Sequence, residues 1–93
     1  MKRGWVNLEK KHVLLYPKAT EKTSRIIESE NKLTFIVSDE STRASIKKEF
    51  EEKYRVKVSA VNISRSMKGK KVAYITLEEP GKASELGMKL KIL

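Results

Sequence analysis

Arg65, Lys68, Lys70 and Lys71 fall within seven consecutive residues that contain no acid, an arrangement suited to gripping a polyanion. Each such cation that neutralises a phosphate releases condensed counterions and so adds affinity. A second basic stretch occupies residues 1–25, where Lys18, Lys22 and Arg25 join four more cations against only two acids. Residues 1–25 carry a formal charge of +5 and residues 55–71 one of +6, while the segment between them, 26–54, carries −2. Clustering one sign of charge costs self-repulsion that solubility does not require, so the pattern points to phosphate binding rather than to a merely soluble surface.

Covalent and metal chemistry has little to work with. The absence of cysteine removes disulfides, thiolate catalysis and cysteine-ligated zinc or iron–sulfur centres. His12, the only histidine, sits in Glu9-Lys10-Lys11-His12 with no matching acid and nucleophile in evidence, which suits a solvated surface group better than a catalytic one. The glycines Gly4, Gly69, Gly81 and Gly87 are scattered, and none opens a G-x-x-x-x-G-K phosphate loop. The expectation is therefore a non-enzyme without catalytic residues, metal site or cofactor.

The 93 residues, with a net charge of +9 and 39% hydrophobic side chains, describe one small basic domain. A chain of this size buries only roughly two-thirds of the surface that its unfolded form exposes, so its stability is expected to lean on a partner. No stretch approaches the roughly 18 uninterrupted apolar residues of a membrane span, and the start Met1-Lys2-Arg3 leads into no apolar signal segment. A cytoplasmic protein without membrane insertion is expected. Residues 1–12 read as a basic N-terminal arm that orders on its partner, and 13–93 as a single domain.

The elements that must position the cations can be placed from pattern. Val13-Leu14-Leu15-Tyr16 is a strand ended by Pro17. Thr20 caps a short helix, with Glu21 in its first turn where the helix dipole favours a carboxylate, and the helix ends near Glu28 to Glu30. Lys32 to Val37 is a second strand, Leu33, Phe35 and Val37 on one face and Lys32, Thr34 and Ile36 on the other. Ser38 to Ser41 offers capping oxygens for a helix from Thr42 to Tyr54, whose inner face is Ile46, Phe50 and Tyr54; its mixed charges read as solvated surface. Val56, Val58, Val61 and Ile63 mark a third strand that breaks strict alternation, which implies a bulge near Ser59-Ala60. A basic hairpin loop through Gly69 leads to a fourth strand, Val72 to Leu77. Ala83, Leu86 and Leu90 form a short amphipathic helix that Gly87 could end early, and Met88 to Leu93 suits either a helix end or an extended tail.

The order β-α-β-α-β-β-(α) describes an α+β domain, a four-stranded antiparallel sheet with packed helices. Phe35, Ile46, Phe50, Ala73, Ile75 and Leu77 are the expected core. An RNA recognition motif is excluded by element order and by the missing K/R-G-F/Y-G/A-F-V signature. Tyr74 reads as a sheet-surface residue rather than a base platform, because no aromatic neighbour is evident on its face.

Pro17-Lys18-Ala19-Thr20-Glu21-Lys22, Asn31-Lys32-Leu33-Thr34-Phe35, Val61-Asn62 and Lys70-Lys71-Val72-Ala73-Tyr74-Ile75-Thr76-Leu77 stand in an order and spacing that resembles the L-twenty-three family of large-subunit ribosomal proteins. The resemblance covers about residues 13–93 and is specific only in combination. It implies a structural protein bound to large-subunit rRNA at the rim of the polypeptide exit tunnel, beside neighbouring ribosomal proteins, in the cytoplasmic ribosome. The segment Arg65 to Lys70 is short and no long basic extension is present, which implies the archaeal type.

On this reading Lys18, Lys22, Arg25, Arg65, Lys68, Lys70 and Lys71 contact rRNA phosphates. Asn31, Lys32 and Asn62 are matched to more local RNA contacts, with turn or strand-end hydrogen bonding the competing role for both asparagines. Glu21 is matched to a docking point for exit-site factors such as the signal recognition particle, beside its role at the helix start. The alternative from another class is a free-standing RNA-binding or RNA-chaperone module, which would show the same basic segments.

Overall fold

Four strands and three helices follow one another in the expected order: β1 (Leu14–Pro17), α1 (Glu21–Glu30), β2 (Lys32–Val37), α2 (Arg43–Tyr54), β3 (Val58–Arg65), β4 (Lys71–Leu77) and α3 (Lys82–Lys89). The computed structural model describes residues 13–92; the arm expected at 1–12, His12 included, and Leu93 lie outside them. The strands form one antiparallel sheet in the order β1-β2-β4-β3, so the fold is α+β. Pro17 ends β1 at the sheet edge, where its missing N–H costs no central ladder bond.

Both long helices begin with a reciprocal cap. Thr20 Oγ1 accepts from the Thr23 N–H while Thr23 Oγ1 accepts from the Thr20 N–H, and Thr42 and Ser45 repeat the arrangement. The cap of α2 is thus Thr42, one residue beyond the stretch that offered the most capping oxygens. Asn31 ends α1 in the left-handed region at φ 56°. Its amide donates to the carbonyls of Leu77 (3.0 Å) and Glu79 (2.8 Å), and its Oδ1 accepts from the Ala83 N–H at 3.0 Å. One side chain thereby joins α1, the end of β4 and the start of α3. Asn31→Ala is expected to cost about 3 kcal/mol, combining left-handed strain with lost hydrogen bonds. Asn31→Gly, which relieves the strain alone, should cost about 1 kcal/mol less; urea unfolding of both variants measures the difference.

The three helices share one face of the sheet. Ile27 of α1, Ile46 and Phe50 of α2, and Ala83 and Leu86 of α3 enclose Leu33, Phe35, Val37, Ala73, Ile75 and Leu77 in a single apolar cluster, so all six expected core residues are buried. Phe35 and Phe50 meet edge to face, with centroids 5.7 Å apart at 83°, and Tyr54 stacks obliquely on Phe50 at 4.7 Å. Burial first, and the Glu49 carboxylate second, push the Tyr54 phenol above its ordinary value of 10.0.

Two features differ from the pattern, and a third decides an alternative that it left open. Val56 is buried but precedes β3, because Arg55 ends α2 in the left-handed region. The charged face of α2 is not wholly solvated: Glu49 accepts the N–H groups of Val13 (3.1 Å) and Leu14 (3.0 Å), and Glu51 accepts that of Val58 at 2.8 Å. These carboxylates tie α2 to the starts of β1 and β3. Finally, α3 runs through Gly87 to Lys89 and ends in a Schellman turn, with Lys91 at φ 60° and the Ile92 N–H donating to the Gly87 carbonyl at 3.0 Å. Ile92 then packs against the core. The bulge expected near Ser59-Ala60 lies between Val58 and Ala60 and returns both Val58 and Val61 to the core side.

Candidate nucleic-acid interface

Because all three helices lie on one face, no helix or strand among the described residues covers the opposite face of the sheet. Strand parity sends Lys32, Thr34 and Ile36 of β2 to that face, with Val72 and Tyr74 of β4 beside them. Register then aligns Thr34, Tyr74 and Asn62 in one cross-strand row, and Tyr16, Ile36, Val72 and Ser64 in the next. The β3–β4 hairpin rises at one end of this face. Its tip, Ser66-Met67-Lys68-Gly69, closes through the Ser66 N–H donating to the Lys70 carbonyl at 2.8 Å, with Gly69 at φ +83°.

Hairpin and β1 together border a groove over Ile36 and Val72. Lys18, Arg65, Lys68 and Lys70 line it, and among the described residues no carboxylate does. Lys70 Nζ donates to the Tyr16 hydroxyl at 2.9 Å and lies 5.6 Å from the centre of its ring. Arg65 is pinned to the hairpin by donating to the Gly69 carbonyl (2.8 Å) and to Asp39 (3.0 Å). Among the described residues no carboxylate pairs with Lys18, Lys68 or Lys70. Residues from opposite ends of the sequence, 18 and 65–70, thus form one cationic surface suited to phosphates.

Other candidate residues stand elsewhere. Lys71 turns to the helix-covered side, where its ammonium donates to the carbonyls of Ser41 (2.6 Å) and Asp39 (3.2 Å) and fixes the loop before α2. Asn31 is committed to the fold as described. Asn62 is exposed next to Tyr74 on the open face, and Lys32 lies at the far end of that face, paired with Glu30 at 3.0 Å. Glu21, Lys22 and Arg25 belong to α1, on the other side of the sheet. Arg25 pairs with Glu21 at 3.3 Å, yet the Glu21 side chain remains 92% exposed.

Two groove residues escaped the sequence reading. Tyr16 brings an aromatic ring to the face of Tyr74, contrary to the expectation that Tyr74 has no such neighbour. Met67 projects fully from the hairpin tip. The position of Tyr16 depends on a register shift in the pairing of β1 with β2, for which the local sequence holds no signal. Among the described residues no group of His, Asp and Glu could hold a metal ion, and no helix is long and apolar enough to cross a membrane.

Residues 12–86, which include the whole sheet and most of α3, match the family of ribosomal protein L23. The chain belongs to the ribosomal protein L23 family. It is 36% identical over 80 residues to the large ribosomal subunit protein uL23 of Methanothermobacter thermautotrophicus, and 38% identical over 80 residues to that of Methanobrevibacter smithii. Each alignment covers 86% of this chain and 93% of the archaeal relative, so the likeness is to whole L23 proteins. As an L23 family member the chain is a ribosomal protein, a structural class rather than an enzymatic one.

Proposed function

We propose that this L23 family member is a structural component of the large subunit of the cytoplasmic ribosome, bound to large-subunit rRNA at the rim of the polypeptide exit tunnel beside neighbouring ribosomal proteins. The observation that carries the reading is the groove of the open sheet face, where four cations converge and three of them, Lys18, Lys68 and Lys70, meet no carboxylate among the described residues, in a chain of this family. Lys18, Lys68, Lys70 and Arg65 supply the phosphate contacts, with Asn62 and Lys32 further along the same face. Lys71 and Asn31 serve the surface from within by fixing the loop before α2 and the junction of α1, β4 and α3. Lys22 and Arg25 offer a second set of phosphate contacts on the far side. A high-salt wash of large subunits tests the reading against a free-standing RNA module: a component stays with the particle, whereas a module held by charge alone washes off.

The same geometry supports a docking role for Glu21. With the groove turned toward RNA, α1 lies on the opposite side of the sheet and presents an exposed carboxylate. Such a negative charge amid RNA and basic protein pairs readily with an Arg or Lys of an arriving factor, such as the signal recognition particle. Glu21→Gln and Glu21→Ala should leave assembly into subunits intact and weaken factor binding about tenfold, the loss of one charge-assisted contact. Titrating labelled factor onto purified variant ribosomes measures this, and an affinity equal to wild type would leave Glu21 with its helix-start role alone.

A further inference from the structure

The groove on the open sheet face is more apolar than phosphate binding requires. Leu15, Tyr16 and Met67, three of the four large apolar side chains exposed among the described residues, gather around this end of the sheet. Met67 is 105% exposed at the hairpin tip, where a solvated loop has no use for it. Ile36 and Val72 floor the groove, Tyr16 and Tyr74 line it, and its volume is about 520 Å³. Thr34, opposite Tyr74 in register, is 1% exposed, and its Oγ1 finds no hydrogen-bond partner among the described residues.

A ligand made only of phosphates would meet the cations and leave two aromatic rings and a methionine in water. A purely apolar ligand would fill the groove and leave the rim of Lys18, Lys68 and Lys70 without an anion. A nucleotide in a single strand satisfies both, because its base has an apolar face and its flanking phosphates are anionic. We propose that this groove receives one unpaired base of the bound RNA, stacked on Tyr16 with Tyr74 beside it, and the adjoining phosphates on Lys18, Lys68 and Lys70. Lys70 holds the Tyr16 ring through its hydroxyl, so the platform is ordered before RNA arrives. With so few polar groups at the floor, the groove selects for an extruded base and only weakly for its identity.

The proposal rests on the RNA-binding reading above, and one experiment separates the two. The full-length protein is titrated, at several salt concentrations, with three hairpin RNAs of equal phosphate count: one with a single extruded nucleotide, one with an abasic residue at that position, and one fully paired. The extruded-base RNA should bind about tenfold more tightly than either control, with the same salt slope. Placing 2-aminopurine at the extruded position should give fluorescence quenching on binding. Tyr16→Ala and Tyr74→Ala, each checked by its melting curve, should remove the preference and the quenching while leaving the salt slope, and Tyr16→Phe should restore both. Equal affinity for the three RNAs with a steep salt slope would overturn the base groove and leave phosphate binding standing. A preference that survives in folded alanine variants would place the base elsewhere and overturn the proposal as well. Absence of salt-dependent binding to any of the three would overturn the RNA reading itself.

Discussion

Phe50→Ala is expected to remove about 3 to 5 kcal/mol of stability and to leave the isolated protein largely unfolded at 37 °C. Phe50 is wholly buried between α2 and the sheet, edge-on to Phe35 and in contact with Tyr54, so truncation leaves a cavity between the helix and the sheet. The backbone around it cannot easily collapse. Glu49 holds β1 and Glu51 holds the start of β3 from the same helix, which fixes the walls. A small domain has on the order of 5 to 15 kcal/mol of total stability, so the loss takes much of it. Phe50→Leu, which keeps most of the volume, should cost clearly less. Melting curves of the two variants measure the effect, and an unchanged transition for Phe50→Ala would show that α2 does not pack as described.

Reversing Lys18, Lys68 and Lys70 together to Glu should nearly abolish binding to a large-subunit rRNA fragment at physiological salt. Each lost phosphate contact lowers the salt slope by roughly 0.7 to 0.9, so the triple variant should bind with a slope shallower by about 2 to 3. Lys68 and Lys70 are exposed and Lys18 is half-buried, and the side-chain hydrogen bond from Lys70 to the exposed Tyr16 lies at the surface, so the fold should tolerate the change. Lys71 is excluded from the set because its ammonium holds the carbonyls of Ser41 and Asp39, and Lys71→Glu would disturb the loop before α2 as well as any RNA contact. Affinity and slope equal to wild type would remove the groove from the interface.

What could be read from the sequence follows from how local each feature is. β2 was legible residue for residue because its β-branched and aromatic run is bounded by the helix end at Asn31 and the polar Ser38-Asp39. The hairpin tip and the bulge near Ser59-Ala60 were legible for the same reason: Gly69 and the spacing from Val58 to Val61 are signals carried by a few adjacent residues. Features that depend on distant partners were not. Lys71 looks like its neighbours Lys68 and Lys70 until β4 turns it toward the Ser41 carbonyl, and the Asn31 amide reaches chain 46 to 52 residues away. Tyr16 joins Tyr74 only through the pairing of β1 with β2 and its shift in register. The mixed charges of α2 likewise concealed two carboxylates that bind backbone, since an exposed and a structural glutamate share one sequence signature.

The central claim is that the open face of the sheet, with its hairpin cations, meets the RNA of the large subunit. Lysine acetylation read by mass spectrometry, performed on the free full-length protein and on purified large subunits containing it, tests this most directly. Lys18, Lys68 and Lys70 should react readily in the free protein and be strongly protected in the subunit, well beyond any protection of Lys47, Lys48 and Lys53 on the outer face of α2. Equal modification of Lys68 and Lys70 in the free and assembled states would contradict the account.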